Sequence, residues 1–107
     1  MIKGDVVLVP FPFTDLSGDK LRPALVLASV GNDVIVVFMT SRSAKKQNTT
    51  EVLTRADSQN RLKADSTIKC SKIATLDSKI IIGKLGKIKN SQIKEVDAVL
   101  KNILHLR

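Results

Sequence analysis

The sequence predicts a mainly β fold with a C-terminal helix, organised as a single domain over residues 1–107. Runs of β-branched and other apolar residues, separated by residues that favour turns, fill most of the chain. After residue 90 the apolar residues recur at helical spacing. A chain of 107 residues can bury one hydrophobic core and has no room for a second independent one. A β-rich chain of this size usually forms a small barrel or sandwich.

Five segments are predicted to be strands. Pro10 and Pro12 end the first, because proline cannot donate a hydrogen bond to a strand ladder. Residues 14–20 are rich in turn formers and predict a polar loop, and residues 31–33 predict a tight turn. The strands are apolar on both faces, so the core should cover one face and a helix or second subunit the other. The predicted strands are residues 6–9, 23–28, 34–39, 51–53 and 67–73.

The end of the chain predicts one amphipathic helix. Asn90 or Ser91 is expected to cap its start, because short polar side chains accept hydrogen bonds from the first free backbone N–H groups. Asp97 and Lys101 are spaced for an ion pair one turn apart. The apolar stripe should pack on the sheet or on a partner helix. Its main positions are Ile93, Val96, Leu100 and Ile103.

The chain lacks most of the side chains used in metal binding or acid–base catalysis. Cys70 is the only cysteine, so it forms no disulfide within the chain and is expected to be a small buried filler. His105 is the only histidine, which excludes a two-histidine ribonuclease mechanism within one chain. The ten carboxylates are scattered singly, without the close pair that a magnesium site favours. The sequence therefore predicts neither a metal nor a cofactor.

The net charge of +8 favours a polyanionic partner, which means a nucleic acid, an acidic protein or an anionic lipid surface. Residues 1–5 do not have the pattern of a signal peptide, since an acid stands where the basic region should lead into an apolar one. The longest apolar run, residues 34–39, is too short to span a membrane. We expect a cytoplasmic protein with no membrane association.

Arg22 and Thr40 are the candidate functional pair. Arg22 precedes Pro23, which biases its backbone towards an extended conformation at the start of the second strand. Thr40 and Ser41 end the third strand. If these strands form an antiparallel hairpin, Arg22 and Thr40 meet at one edge of the sheet, where a guanidinium and a hydroxyl could bind a phosphate. The residues alone also fit a solvated arginine and an ordinary strand-end threonine.

Six segments of the chain form an ordered set: residues 4–9, 21–27, 35–41, 65–66, 73–77 and 83–86. In order and spacing, they resemble the MazF/PemK toxin family. The resemblance covers nearly the whole chain, including the predicted final helix. Many family members carry a glutamine and an arginine in the segment where this chain has Lys72 and Ala74, so the resemblance does not give the cleavage specificity.

The resemblance implies an SH3-like small barrel of the MazF/PemK/CcdB toxin type, assembled as a homodimer. It also implies a toxin of a type II toxin–antitoxin system that cleaves single-stranded RNA without a metal and is blocked by a cognate antitoxin protein. In such enzymes the 2′-hydroxyl of the substrate attacks the adjacent phosphate, which commonly leaves a 2′,3′-cyclic phosphate and a 5′-hydroxyl. By the same resemblance, the catalytic arginine and threonine of the family correspond to Arg22 and Thr40.

The predicted RNA-binding residues surround this pair in the sequence. In the family, the loop after the first strand is a lid over the RNA groove, and two phenylalanines stand at its root here. These aromatic rings either stack on bases or fill the barrel. The full predicted set is Phe11, Phe13, Lys20, Ser41, Arg42, Lys45 and Lys46.

Two other functions remain compatible with the same fold. The first is an RNA-binding module without catalysis, such as a decayed toxin. The second is a gyrase poison of the CcdB kind, which depends on a C-terminal tryptophan. This chain has no tryptophan and ends in His105-Leu106-Arg107, so the second alternative is disfavoured.

Overall fold

The computed structural model describes residues 1–10, 21–41 and 49–107, and all structural statements below refer to these residues. In this part of the chain six strands are followed by one α-helix, which confirms the predicted mainly β fold with a C-terminal helix. A single 3₁₀ turn, Ser78–Ile80, precedes the last strand. The elements are β1 Asp5–Pro10, β2 Leu21–Val30, β3 Asp33–Thr40, β4 Glu51–Thr54, β5 Ser66–Asp77, β6 Gly83–Lys87 and α1 Asn90–Leu104.

The six strands form one curled antiparallel sheet in the order β4-β5-β3-β2-β1-β6. Strands β4 and β6 are its two edges among the described residues. The loop between β4 and β5 (residues 55–65, here called the closing loop) reaches from one edge to the other. The backbone N–H of Lys87 on β6 donates to the carbonyl oxygen of Gln59 in this loop at 3.1 Å. The closing loop therefore completes the half-barrel that the sheet begins.

The strands are longer than the sequence predicted, and β6 was not predicted at all. Strand β5 continues beyond residue 73 to Asp77, and its pairing with β3 shifts register between Val37 and Phe38. Residues 67–69 of β5 pair with β4 on one side and with the end of β3 on the other, and residues 73–77 pair with the first half of β3. Strand β6 has the sequence GKLGK, and glycine and lysine are residues that are depleted in strands. Its pairing with the apolar β1 makes it a strand.

Both faces of the sheet are buried, as the apolar strands predicted. Adjacent residues of one strand, such as Leu25 and Val26, belong to two different hydrophobic clusters and therefore lie on opposite faces. Helix α1 covers the first face, where Val96 and Leu100 are buried. The second face carries its own cluster of small apolar side chains, against which Ile81 packs. The members of that second cluster are Val7, Val9, Ala24, Val26, Val34, Val36 and Phe38.

The predicted cap of α1 is wrong. The N-cap residue is Lys89, which has extended backbone angles and makes no capping hydrogen bond through its side chain. Asn90 and Ser91 already lie within the first helical turn, so neither occupies the position from which a polar side chain can reach the free N–H groups. The helix is held in place by its apolar stripe on the sheet rather than by a cap.

Helix α1 is also joined to the N-terminal segment by an ion pair that was not predicted. Asp97 Oδ1 lies 2.7 Å from Lys3 Nζ, so this carboxylate pairs across the fold and not with Lys101 on its own helix. The helix ends at Leu104 and is followed by His105, which has the left-handed backbone conformation typical of a C-terminal cap (φ 56°). Among the described residues, no helix has the length and apolar character needed to cross a membrane.

Candidate functional site

The hairpin of β2 and β3 positions Arg22. The register of this antiparallel pair places Ala24 opposite Phe38. Continued by two residues, the same register places Arg22 opposite Thr40. Facing residues of an antiparallel pair project to the same side of a sheet, so both side chains belong to one face. On its other side Arg22 is paired with Val9 of β1, which fixes its backbone within the sheet.

Arg22, Thr40 and Ser41 line one open pocket of about 300 Å³. The side chains of Arg22 and Thr40 are half-buried, and Ser41 is exposed. The structure thus brings together the three described residues of the predicted site. The convergence of the start of β2 with the end of β3, predicted from the hairpin, is confirmed. Their catalytic and RNA-binding roles stay predictions.

The remaining predicted RNA-binding residues lie outside the described part of the chain. They are Phe11, Phe13, Lys20, Arg42, Lys45 and Lys46. Two of the described residues that adjoin them in the chain line the pocket. Leu21 begins β2 directly after residue 20, and Ser41 directly precedes residue 42. The contributions of these six residues therefore stay predictions.

The pocket also contains residues that the sequence did not indicate. Its apolar wall consists mainly of leucine side chains from β1, β6 and the closing loop. Lys63 of the closing loop adds a second cationic side chain to the lining, and it is exposed. No local pattern marks Lys63, because the loop is brought to the pocket only by the curl of the sheet. The apolar lining includes Leu8, Pro23, Met39, Leu62 and Leu85.

The closing loop is held by a buried asparagine. Asn60 is fully buried, and its Oδ1 accepts hydrogen bonds from the backbone N–H groups of Asp57 (3.1 Å) and Leu62 (3.0 Å). Its Nδ2 donates to the carbonyl oxygen of Arg55 at 2.8 Å. Asp65 Oδ1 accepts from the backbone N–H of Ala56 at 2.8 Å, which ties the two ends of the loop together. The backbone beside the pocket is therefore fixed by internal hydrogen bonds.

The loop also packs tightly on β6. An ideal Cβ placed on Gly86 would overlap the carbonyl oxygen of Gln59 and lie 2.7 Å from that of Asn60. Glycine is thus required at this position, because any side chain would push the loop away from the strand. Gln59 Nε2 donates to the carbonyl oxygen of Ile88 at 3.2 Å and adds a second link beyond the end of β6.

Cys70 is buried in the first cluster, as expected of an apolar filler. Burial, and to a smaller extent the nearby carboxylate of Glu51, raise the pKa of its thiol from 9.0 to about 11. A thiol with a raised pKa is a poor nucleophile at neutral pH. His105, the only histidine of the chain, is exposed at the end of α1.

The raised pKa of Cys70 predicts a pH dependence of both reactivity and stability. The folded protein should react with iodoacetamide about 100-fold more slowly than the urea-unfolded chain at pH 8, because less thiolate is present and the thiol is buried. The thiol of Cys70 loses its proton at a lower pH in the unfolded chain than in the folded protein. Its contribution to the free energy of unfolding is therefore constant below pH 9 and falls as the pH rises towards 11. Urea unfolding of the protein and of Cys70→Ala between pH 8 and 11 measures the difference. A thiol that reacts equally fast in both states would contradict the burial.

The two positions at which the chain departs from the family pattern do not line the pocket. Lys72, one of the two departures from the family pattern, is exposed on β5, and Ala74 packs against the second cluster. Within the part of the chain that the structure describes, no three side chains of His, Cys, Asp or Glu form a group that could hold a metal ion.

The fold and the pocket define a class of protein: a small β half-barrel with a basic, hydroxyl-bearing pocket at one end of its sheet. Residues 2–104 match the family of PemK-like, MazF-like toxins of type II toxin–antitoxin systems. The chain belongs to this toxin family, which confirms the resemblance seen in the sequence.

Solved structures support the same fold. A MazE–MazF structure from Deinococcus radiodurans is 24% identical with a TM-score of 0.79, over 100% of this chain and 98% of that one. A mycobacterial endoribonuclease in complex with its cognate antitoxin is 20% identical with a TM-score of 0.77, over 100% and 97%. The Mycobacterium tuberculosis toxin MazF-mt6 is 21% identical with a TM-score of 0.76, over 96% and 98%. The predicted MazF-type barrel is thereby confirmed. A search of curated proteins gave no match.

Proposed function

We propose that this toxin is an endoribonuclease that cleaves single-stranded RNA without a metal ion. The 2′-hydroxyl of the substrate attacks the adjacent phosphorus, and the bond from phosphorus to the 5′-oxygen of the next nucleotide breaks. The products are a 2′,3′-cyclic phosphate and a free 5′-hydroxyl. Arg22 and Thr40 are the catalytic residues, and the pocket that they share is the active site.

The observation that carries this proposal is the convergence of Arg22, Thr40 and Ser41 on one pocket. Arginine remains protonated in proteins, so it cannot act as a general base, but its planar fork fits phosphate oxygens. Arg22 therefore stabilises the negative charge that develops on the phosphorane. A pocket of about 300 Å³ is at the lower end of the range for ligand sites, which is sufficient for one phosphodiester and part of its nucleotide.

The hydroxyl groups complete the arrangement. Thr40 is half-buried at the end of β3, opposite Arg22 in the continued register. A hydroxyl can donate one hydrogen bond and accept two. Thr40 donates to a non-bridging phosphate oxygen or orients the 2′-hydroxyl for attack. Ser41, which is exposed beside it, binds RNA at the rim of the pocket.

The proposed partners follow from charge and family. RNA and an acidic or amphipathic antitoxin both suit a chain of net charge +8. Two solved relatives are complexes with an antitoxin or with MazE. We propose that a cognate antitoxin folds onto the basic surface of this chain and blocks the pocket, as disordered segments do when they bind. The working form of the toxin is a homodimer.

The decisive experiment incubates the purified protein with single-stranded RNA in excess EDTA. We expect cleavage at short recognition sequences, with fragments whose 5′ ends accept phosphate from polynucleotide kinase without prior phosphatase treatment. The same RNA with 2′-O-methyl groups is the control and should stay intact, because it lacks the attacking hydroxyl. Cleavage that requires added Mg²⁺ would contradict the mechanism. Binding without any product would favour the alternative of an RNA-binding module.

A further inference from the structure

Lys63 is the cationic side chain of the pocket that the proposed mechanism does not use. It belongs to the closing loop, whereas Arg22 belongs to β2, so the two positive charges reach the pocket from different parts of the fold. Single-stranded RNA carries one phosphate per nucleotide, and a strand passing through the pocket would present more than one of them. A second cation at a separate position suits a second phosphate.

The backbone of Lys63 is fixed although its side chain is exposed. The preceding residue, Leu62, is only 8% exposed and belongs to the first hydrophobic cluster. Its N–H is held by the buried Asn60 at 3.0 Å. Two residues after Lys63, Asp65 binds the backbone of Ala56. A fixed Cα reduces the entropy lost when the lysine side chain engages a ligand.

No carboxylate of the described residues neutralises the charge of Lys63. In residues 1–10, 21–41 and 49–107, no carboxylate lies within 4.0 Å of its ammonium group, and no ion pair involves it. Two lysines on the sheet, in contrast, form ion pairs. Lys69 pairs with Glu51 at 2.6 Å, and Lys84 pairs with Asp5 at 3.2 Å. Within the part of the chain that the structure describes, no carboxylate therefore competes with a ligand for the ammonium group of this lysine.

We propose that Lys63 binds a phosphate of the RNA strand next to the phosphate that is cleaved. The proposal rests on the proposed function and deepens it by assigning a second phosphate contact to the same pocket. An ammonium group binds phosphate as a point charge with three donors, without the fixed geometry of a guanidinium. Lys63 thus holds the substrate in place while Arg22 acts on the reacting group.

The test compares Lys63→Gln with Lys79→Gln. Both changes remove one positive charge from an exposed lysine, and Lys79 lies in the 3₁₀ turn beside Asn32, at the opposite end of β3 from Thr40. Affinity is measured by fluorescence anisotropy for a 2′-O-methyl version of an RNA that the protein cleaves, at several salt concentrations. Lys63→Gln should weaken binding about tenfold, the size expected for loss of one charged hydrogen bond. The slope of log affinity against log salt should fall by about 0.7.

Cleavage kinetics give an independent readout. Lys63→Gln should raise KM with little change in kcat, since the contact exists in both the ground state and the transition state. Lys63→Arg should retain most of the affinity, and Lys79→Gln should stay within about twofold of the unmodified protein. Equal affinity and equal salt slopes for Lys63→Gln and Lys79→Gln would overturn the proposal while leaving RNA cleavage established. If the unmodified protein neither binds nor cuts RNA, the proposed function itself fails.

Discussion

Arg22→Ala is expected to lower the rate of RNA cleavage by about 10²–10³, the usual effect of removing one donor that stabilises charge in the transition state. Arg22 lines the pocket opposite Thr40 in the continued register, and its backbone is already fixed by pairing with Val9. Truncation of its side chain removes the guanidinium without removing a strand hydrogen bond. Single-turnover cleavage of a defined RNA under saturating protein measures the loss.

The matched control is Arg107→Ala, which removes the same side chain from the exposed end of the chain. It should cleave RNA at the rate of the unmodified protein. Circular dichroism and the thermal midpoint should show that both variants are folded. Arg22→Lys provides a further comparison, because an ammonium keeps the charge but loses the planar fork, so only part of the rate should return. Full activity in Arg22→Ala would remove Arg22 from the mechanism.

Gly86→Ala is expected to destabilise the protein by about 2–3 kcal/mol, the range for overpacking a close contact. The added Cβ would overlap the carbonyl oxygen of Gln59, and the second carbonyl, that of Asn60, is also backbone. Neither oxygen can move away without moving the closing loop. For a domain of this size, such a loss lowers the thermal midpoint by about 10 °C. Urea denaturation and a thermal scan measure it.

Gly83→Ala is the matched control, because it makes the same change on the same strand. An ideal Cβ on Gly83 meets no atom of residues 1–10, 21–41 and 49–107 within 4 Å, so the stability of this variant should change by no more than about 0.5 kcal/mol. Gly86→Ala should also raise the KM for RNA, since a displaced closing loop shifts the wall of the pocket that carries Leu62 and Lys63. Equal stability of the two alanine variants would show that the loop does not close on β6 in solution.

The parts of the fold that depend on local sequence were predictable. The β2–β3 hairpin follows from two apolar β-branched runs around a short turn, and the meeting of Arg22 with Thr40 follows from the hairpin. The helix followed from the spacing of Val96 and Leu100 with their neighbours. In each case one segment and its nearest neighbour determine the structure.

The parts that depend on distant segments were not predictable. Strand β6 has a sequence typical of a loop, and only its pairing with β1 gives it an extended structure. The position of Lys63 results from three hydrogen bonds of Asn60 and from the absence of a side chain at Gly86. The hydrogen bonds of Asn60 are local, but no periodic pattern of apolar residues marks them. The contact of Gly86 with the closing loop and the pairing of β6 with β1 join residues that are far apart in the chain. The ion pair of Asp97 with Lys3 was missed for the same reason.

Because both faces of the sheet are buried, apolar burial alone does not select the register in which its strands pair. In a sheet with only one apolar face, a one-residue shift in strand register exposes the apolar side chains to water and is therefore unfavourable. Strands β2 and β3 carry apolar side chains on both faces, so a slipped pairing would bury nearly as much apolar surface. The choice of pairing therefore falls to two local features of the hairpin. One is the two-residue turn between Val30 and Asp33, where Gly31 has φ +60° as a type II′ turn requires. The other is the irregularity between Val26 and Ala28, which shifts the register by one residue. The turn and the shift together determine whether Arg22 comes to face Thr40 or its neighbour Ser41.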